Sequence, residues 1–490
     1  MNVQRSYHAR VLEAPVVMRD PGNVQEAVRS SRRSALERAV RHFDGGAFVA
    51  ELAPLIAVAS ESQEPRGAPH LASYLTDHLR PALEHLGFIC DVLVNPAPAG
   101  PLLLAERIED PDLPTVLLYG HGDVVRGLED GWDEGLSPWR LIERDGRLFG
   151  RGVADNKGQH AIHLAALAMV LAERGRLGFN ARFLVETAEE VGSLGLREIC
   201  EHHRERLGAD LLLASDGPRL IEERPTIFLG ARGALNFDLV AELRASGHHS
   251  GNWGGLLANP AILLAHAVSI IASRTGTILL PELRPRAIPP AIRRALAEID
   301  LVPAPGDPSI DHGWGEPDLS PAEQVFGWNS FEVLAWSCGD IDSPVNAVPP
   351  RARAHCQIRY TVDSDPDGFL PAIRRHLDQA GLSQVAVRPA EQAAFRATRT
   401  DLEHHWVKFA ARSIERTTGE PPVILPNSGG SLPNDCFAEI LGLPTIWVPH
   451  SHRGCRQHAP NEHALPHILR EGLLIMTGLF WDLGESADPP

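Results

Sequence analysis

The chain has 490 residues, 43% of them hydrophobic, more than a single core of ~250–300 residues takes up, which predicts two domains. Acidic side chains outnumber Lys and Arg by 63 to 46, for a formal charge of −17, which argues against a nucleic-acid or anionic-membrane partner because phosphate binding needs a basic face. Six scattered cysteines without a CxxC, no apolar run near ~18–20 residues and no signal-peptide pattern at the N-terminus read as a soluble cytoplasmic protein with reduced thiols.

Residues 1–30 carry weak periodicity and the chain ends in ADPP, so both ends read as accessory or mobile. Segments 34–58 and 70–87 read as helices, the second stopping at Gly87. Strand and helix signals then alternate. PTVLLYG (114–120) runs into His121, a helix spans 157–174, ARFLVET (181–187) precedes Glu189 and Glu190, a helix starts near Ser193, and ADLLLAS (209–215) ends at Asp216. Such alternation predicts a mostly parallel sheet covered on both faces.

Near Gly230 the pattern changes. Alternating strands at 234–240, 331–339 and 351–362, with helices at 259–274 and 366–381, predict an α+β lobe, with the Pro-rich stretch 281–325 as its excursion. The first pattern resumes with a helix at 401–418, strands at 422–425 and 444–448, the His458 loop and a terminal helix. The predicted architecture is an α/β domain of 1–229 and 398–490 with a smaller domain, 230–397, inserted into it. There is no internal repeat or low-complexity tract.

Five residues of metal-ligand type follow strand signals: His121, Asp155, Glu190, Asp216 and His458. In an open α/β sheet, the carboxyl ends of the strands form the active-site crevice. His121 alone reads equally well as a buried core histidine; five such positions together point to metal. Carboxylate and imidazole without thiolate suit Zn²⁺, Mn²⁺ or Co²⁺. Five ligands suffice for two divalent ions if one carboxylate bridges, and Asp155, in a tight turn, is the natural bridge. Asp123 lies two residues after His121 and is placed to accept the other imidazole N–H.

Glu189 and Glu190 repel each other unless cations lie near. With Glu190 on metal, Glu189 is a free carboxylate suited to general-base work; alone, the pair also reads as an acidic helix start. Three further segments have both a plain structural reading and a functional one. His249 in HHSGNWGG and Asn346 in a turn could stabilise an oxyanion. Arg359 could clasp a carboxylate. NSGGSLPND (427–435) offers backbone N–H groups, including that of Gly430, and the Ser431 hydroxyl.

In order, HGDVV, RGVADNKG, the Glu pair, SDG, HSG, NAVPP with IRYTV, GGSLP and QHAPNE resemble the cocatalytic-metal peptidases that include carnosinase, aminoacylase, bacterial glutamate carboxypeptidase and succinyl-diaminopimelate desuccinylase. The resemblance spans about 50–482. It implies a zinc-exopeptidase-like catalytic domain with an inserted lid and dimerisation domain. One ion would sit on His121, Asp155 and Asp216, the other on Asp155, Glu190 and His458.

Glu189 matches the family's base and Asp123 its histidine-orienting acid. The Asp155–Asn156 bond matches one that is often cis, and His249 a histidine supplied to the partner subunit of a homodimer. Asn346, Arg359, Gly430 and Ser431 fall at substrate-contacting positions. The implied reaction is hydrolysis of a dipeptide or of an N-acyl or N-carbamoyl amino acid; a non-catalytic metal-binding homologue is the remaining alternative. Asn427 stands where carnosinase-like members carry Arg, with Arg453 and Arg456 as candidate substitutes, and WGG after HSG replaces a bulkier apolar pattern.

Overall fold

A computed structural model describes residues 30–303, 308–390 and 395–485. The expectations for residues 1–29 and for the closing ADPP lie outside them.

The larger sheet has eight strands. Its interior is parallel: Thr115–His121 lies between Asn180–Glu186 and Leu211–Ala214, and Thr445–Trp447 pairs parallel with the last of these. Strand Thr226–Phe228 and its parallel partner Val423–Leu425 complete one side. The antiparallel strands Ile89–Leu93 and Leu102–Arg107 complete the other.

Alternate side chains enter two cores. Val116, Leu118, Phe183, Leu211 and Leu213 face helices Lys157–Arg174 and Pro466–Leu483. Leu117, Tyr119, Leu184 and Leu212 face the opposite layer with Phe437 and Trp447. Burial on both faces explains why these strands read as unbroken apolar runs.

A second, antiparallel sheet of four strands is inserted between Thr226–Phe228 and Val423–Leu425. Its order is Ser330–Ser337, Arg351–Tyr360, Gly233–Glu242, Val385–Pro389. Ala352, Ala354, Cys356 and Ile358 bury one face against helices Pro260–Ile271 and Phe369–Gln379. Arg351, Arg353, His355, Gln357 and Arg359 occupy the other, as the period of two requires.

Several elements differ from expectation. The helix expected over 34–58 is two, Arg32–Asp44 and Ala47–Ile56, parted at Gly46, whose φ of 78° suits glycine. Strands Ile89–Leu93 and Leu102–Arg107 were not foreseen, nor was the hairpin of Ile142–Arg144 and Arg147–Phe149. Its left-handed Asp145-Gly146 turn is a sequence signal for such a hairpin. The excursion 281–325 does not serve the smaller sheet alone: Ile288, Ile292, Leu296 and Ala322, with the adjoining Phe326, pack in the larger sheet's second core.

Candidate metal centre

Strand Thr115–His121 is buried almost throughout, so its backbone is fixed where His121 leaves its carboxyl end. The parallel neighbour ends at Glu186, and the chain then folds into the short turn Glu189–Val191. Asp216 lies two residues beyond Leu211–Ala214. Asp155 and His458 come from loops rather than from strand ends. Asp155 precedes helix Lys157–Arg174, across a cis Asp155–Asn156 peptide. His458 sits in a loop with left-handed backbone at Arg456, His458 and Asn461.

These loops converge. His121 Nε2 lies 3.1 Å from Asp155 Oδ1 and 3.5 Å from Asp216 Oδ2. His458 Nε2 lies 3.0 Å from Asp155 Oδ2 and 3.1 Å from Glu190 Oε2. The two clusters, His121–Asp155–Asp216 and Asp155–Glu190–His458, each bring their ligand atoms within 4.8 Å of one another and share Asp155. Ligands ~2.0–2.2 Å from one tetrahedral ion stand roughly 3.3–3.6 Å apart, so these spacings fit.

The electrostatics also fit cations. Without one, burial and the Asp155 charge push the Glu190 carboxyl up to about 7. Burial, with nearby Glu190, Asp216 and Asp155, drives Glu189 well above the usual carboxylate range. Glu190 Oε1 is buried without a hydrogen-bond partner. Asp155→Ala should therefore strip metal from both clusters in metal analysis of the purified protein; full occupancy would rule out the shared position.

Asp123 meets His121 through both its main chain and its side chain. His121 Nδ1 lies 3.0 Å from the Asp123 carbonyl and 3.5 Å from its carboxylate. A carbonyl only accepts, so Nδ1 carries the proton and Nε2 keeps its lone pair for the site. The Asp123 carboxylate also accepts the backbone N–H of Glu189 at 3.2 Å and of Glu190 at 3.1 Å. It fixes the turn that presents both glutamates.

Two supports were missed. Glu462, in the QHAPNE segment, accepts the amides of Gly152, Ala154 and Asp155 at 3.0–3.2 Å and the Arg151 guanidinium at 2.7 Å. It braces the turn that carries Asp155. Behind the site, Tyr74 Oη lies 2.6 Å from His160 Nε2, and His160 Nδ1 lies 3.1 Å from Asn156 Oδ1. Asn156 Nδ2 donates to the Ser215 carbonyl, beside Asp216, at 2.8 Å.

Of the expected substrate-contacting residues, Arg359 and Ser431 are brought together, Nη1 donating to Oγ at 2.9 Å. The Gly430 amide donates to Ser428 Oγ at 3.2 Å. His249 and Asn346 are exposed. They adjoin across a short ribbon, in which Ser250 N donates to the Asn346 carbonyl at 2.8 Å. Among the described residues, neither bonds to a member of the metal clusters.

Carboxylates and imidazoles converging from strand ends and loops at one edge of an α/β sheet make a candidate centre for a metal-dependent hydrolase. The profile of peptidase family M20/M25/M40 matches residues 117–482. The chain is 32% identical to Homo sapiens Beta-Ala-His dipeptidase, over 89% of this chain and 90% of that one; the match to the Rattus norvegicus enzyme covers 39% of it. It is 29% identical to the Cys-Gly metallodipeptidase of Saccharomyces cerevisiae, over 80% and 85% of the two chains.

Human carnosine dipeptidase 1 superposes with a TM-score of 0.73 at 23% identity, covering 93% of this chain and all of that one. The Saccharomyces cerevisiae di-peptidase Dug1p gives 0.77 at 21%, covering 94% and 100%. The chain belongs to peptidase family M20/M25/M40 and is a divalent-metal-dependent hydrolase of peptide bonds.

Proposed function

We propose that this protein is a dinuclear dipeptidase, and the observation that carries the reading is the pair of triads sharing Asp155 with Glu189 beside them. His121, Asp155 and Asp216 would hold one ion, and Asp155, Glu190 and His458 the other, with Zn²⁺ the favoured metal for this donor set and Mn²⁺ or Co²⁺ able to replace it. Ions held there would supply Lewis acidity for the scissile carbonyl and would lower the pKa of water at the site.

Glu189 takes the proton of the attacking water and then delivers it to the leaving amine. Asp123 keeps Glu189 and Glu190 in register through their amides. Arg359, steadied by Ser431, reads the substrate carboxylate in the fork geometry of a guanidinium. Gly430 and Asn346 complete the substrate walls, and His249 stabilises the oxyanion. The named dipeptidases among the relatives support a dipeptide over an N-acyl amino acid. The test is a hydrolysis screen of both classes with Zn²⁺, Mn²⁺ and Co²⁺; turnover of N-acyl amino acids alone would replace the reading.

The proposed division is a catalytic domain of 1–229 and 398–490 and a lid of 230–397. The lid exposes Val333, Leu334 and Trp336 on its edge strand and Ile262 on the adjacent helix. An apolar edge strand is a template for pairing with another chain, which supports a homodimer with His249 acting in the partner's site. Re-equilibrating His249→Ala chains with Glu189→Gln chains should then restore part of the activity, because one site of each mixed dimer has both groups intact. No recovery in heterodimers confirmed by mass would place His249 in its own chain's chemistry or in none. All six cysteines are unpaired, which supports a cytoplasmic setting; no helix among the described residues is long and apolar enough to cross a membrane.

A further inference from the structure

Arg232, just ahead of strand Gly233–Glu242, drew no notice in the sequence. It is only 9% exposed. Its Nε donates to the Gly429 carbonyl at 3.0 Å and its amide to the Ser428 carbonyl at 3.2 Å. Arg359 stands opposite Ala234, two residues further along the same strand pair. Its Nη1 is tied to Ser431 Oγ at 2.9 Å and its Nε to Gln357 Oε1 at 3.0 Å. Ser431 Oγ also donates to the Arg232 carbonyl at 2.9 Å. One glycine-rich turn thus moors two guanidiniums side by side.

Neither guanidinium has an ion-pair partner among the described residues: no carboxylate there lies within 4.0 Å of either. Glu332 is the acidic group nearest in effect to Arg232, but it is exposed on the outer strand and beyond ion-pair distance. Burial lowers Arg232 to about 10, and the like charge of Arg359 adds to the shift. A buried, unpaired guanidinium beside another is costly unless an anion arrives with the ligand. Among the described residues, the Arg232 guanidinium bonds through Nε alone, which leaves both Nη atoms for a ligand. One carboxylate leaves one of the two cations unmatched; two carboxylates match both.

We propose that Arg232 and Arg359 form a two-guanidinium subsite that selects peptides with an acidic C-terminal residue, Arg359 taking the α-carboxylate and Arg232 the side-chain carboxylate. This rests on the dipeptidase reading. It also gives a local source for the positive charge that Asn427 does not supply, just ahead of the strand that pairs with that of Arg359.

The test compares kcat/KM of the metal-loaded protein on Ala-Glu, Ala-Asp, Ala-Gln and Ala-Ala. Ala-Glu should exceed its near-isostere Ala-Gln by about 10-fold or more, the worth of a charge-assisted hydrogen bond. Arg232→Gln should collapse that ratio to near one. Arg232→Lys, which keeps the charge, should retain part of it and so separates recognition from a folding defect. On the unmutated protein, free glutamate should inhibit more strongly than free glutamine.

Equal turnover of Ala-Glu and Ala-Gln, or a ratio untouched by Arg232→Gln, overturns the subsite and leaves the dipeptidase reading standing. No hydrolysis of any of the four peptides with any of the three metals overturns the dipeptidase reading itself.

Discussion

Glu189→Gln should bind metal at normal stoichiometry and lose ~10²–10⁴-fold in kcat, the usual contribution of a positioned general base. The amide is nearly isosteric with the acid, and the turn that carries it is held through backbone N–H groups by Asp123 rather than through the Glu189 side chain. Metal content and thermal stability should therefore stay close to those of the parent while turnover falls. Near-normal turnover would remove Glu189 from the chemistry. Loss of metal would recast it as a ligand.

Glu462→Ala should be the most destabilising single change near the site. Glu462 and Arg151 are each 1% exposed and pair at 2.7 Å. Removing one partner of a buried ion pair costs about 3–5 kcal/mol because the other charge is stranded. Here three amides of the Asp155 turn lose their acceptor as well. Urea unfolding of the metal-loaded protein should show the midpoint falling at unchanged m-value, with weaker metal retention. An unchanged midpoint would mean that water replaces the carboxylate without penalty.

The candidate ligands could be picked out of the sequence because each stands next to an element boundary that apolar runs and turn residues announce. His121 closes a strand, Glu190 and Asp216 follow strands, and Asp155 opens a helix. The spacing of Asp123 put it beside His121, but spacing does not say which of its acceptors is nearer: the carbonyl lies at 3.0 Å and the carboxylate at 3.5 Å.

Glu462 and Arg232 were invisible for a different reason. Their partners are distant in the chain: Glu462 serves residues about 310 positions earlier, and Arg232 meets a turn 197 positions later. A local pattern carries no trace of such a pairing. The same holds for 281–325, whose short amphipathic helices read as decoration of the nearest lobe, although their apolar faces are buried against a sheet built from both ends of the chain.

The order of strands also constrains how this protein is made. Strand Leu211–Ala214 must await Thr445–Trp447, and the Asp155 turn must await Glu462, both of which leave the ribosome more than two hundred residues later. Between them come the four antiparallel strands of 233–389, whose pairings are complete within that stretch. Domains generally fold as units during synthesis, and long-range parallel pairings close slowly. The inserted sheet is thus positioned to fold first, while the exposed edge of the unfinished larger sheet waits. A nascent chain stalled before residue 445 should hold a folded insert and an open, aggregation-prone edge, with no second triad to capture metal until His458 emerges.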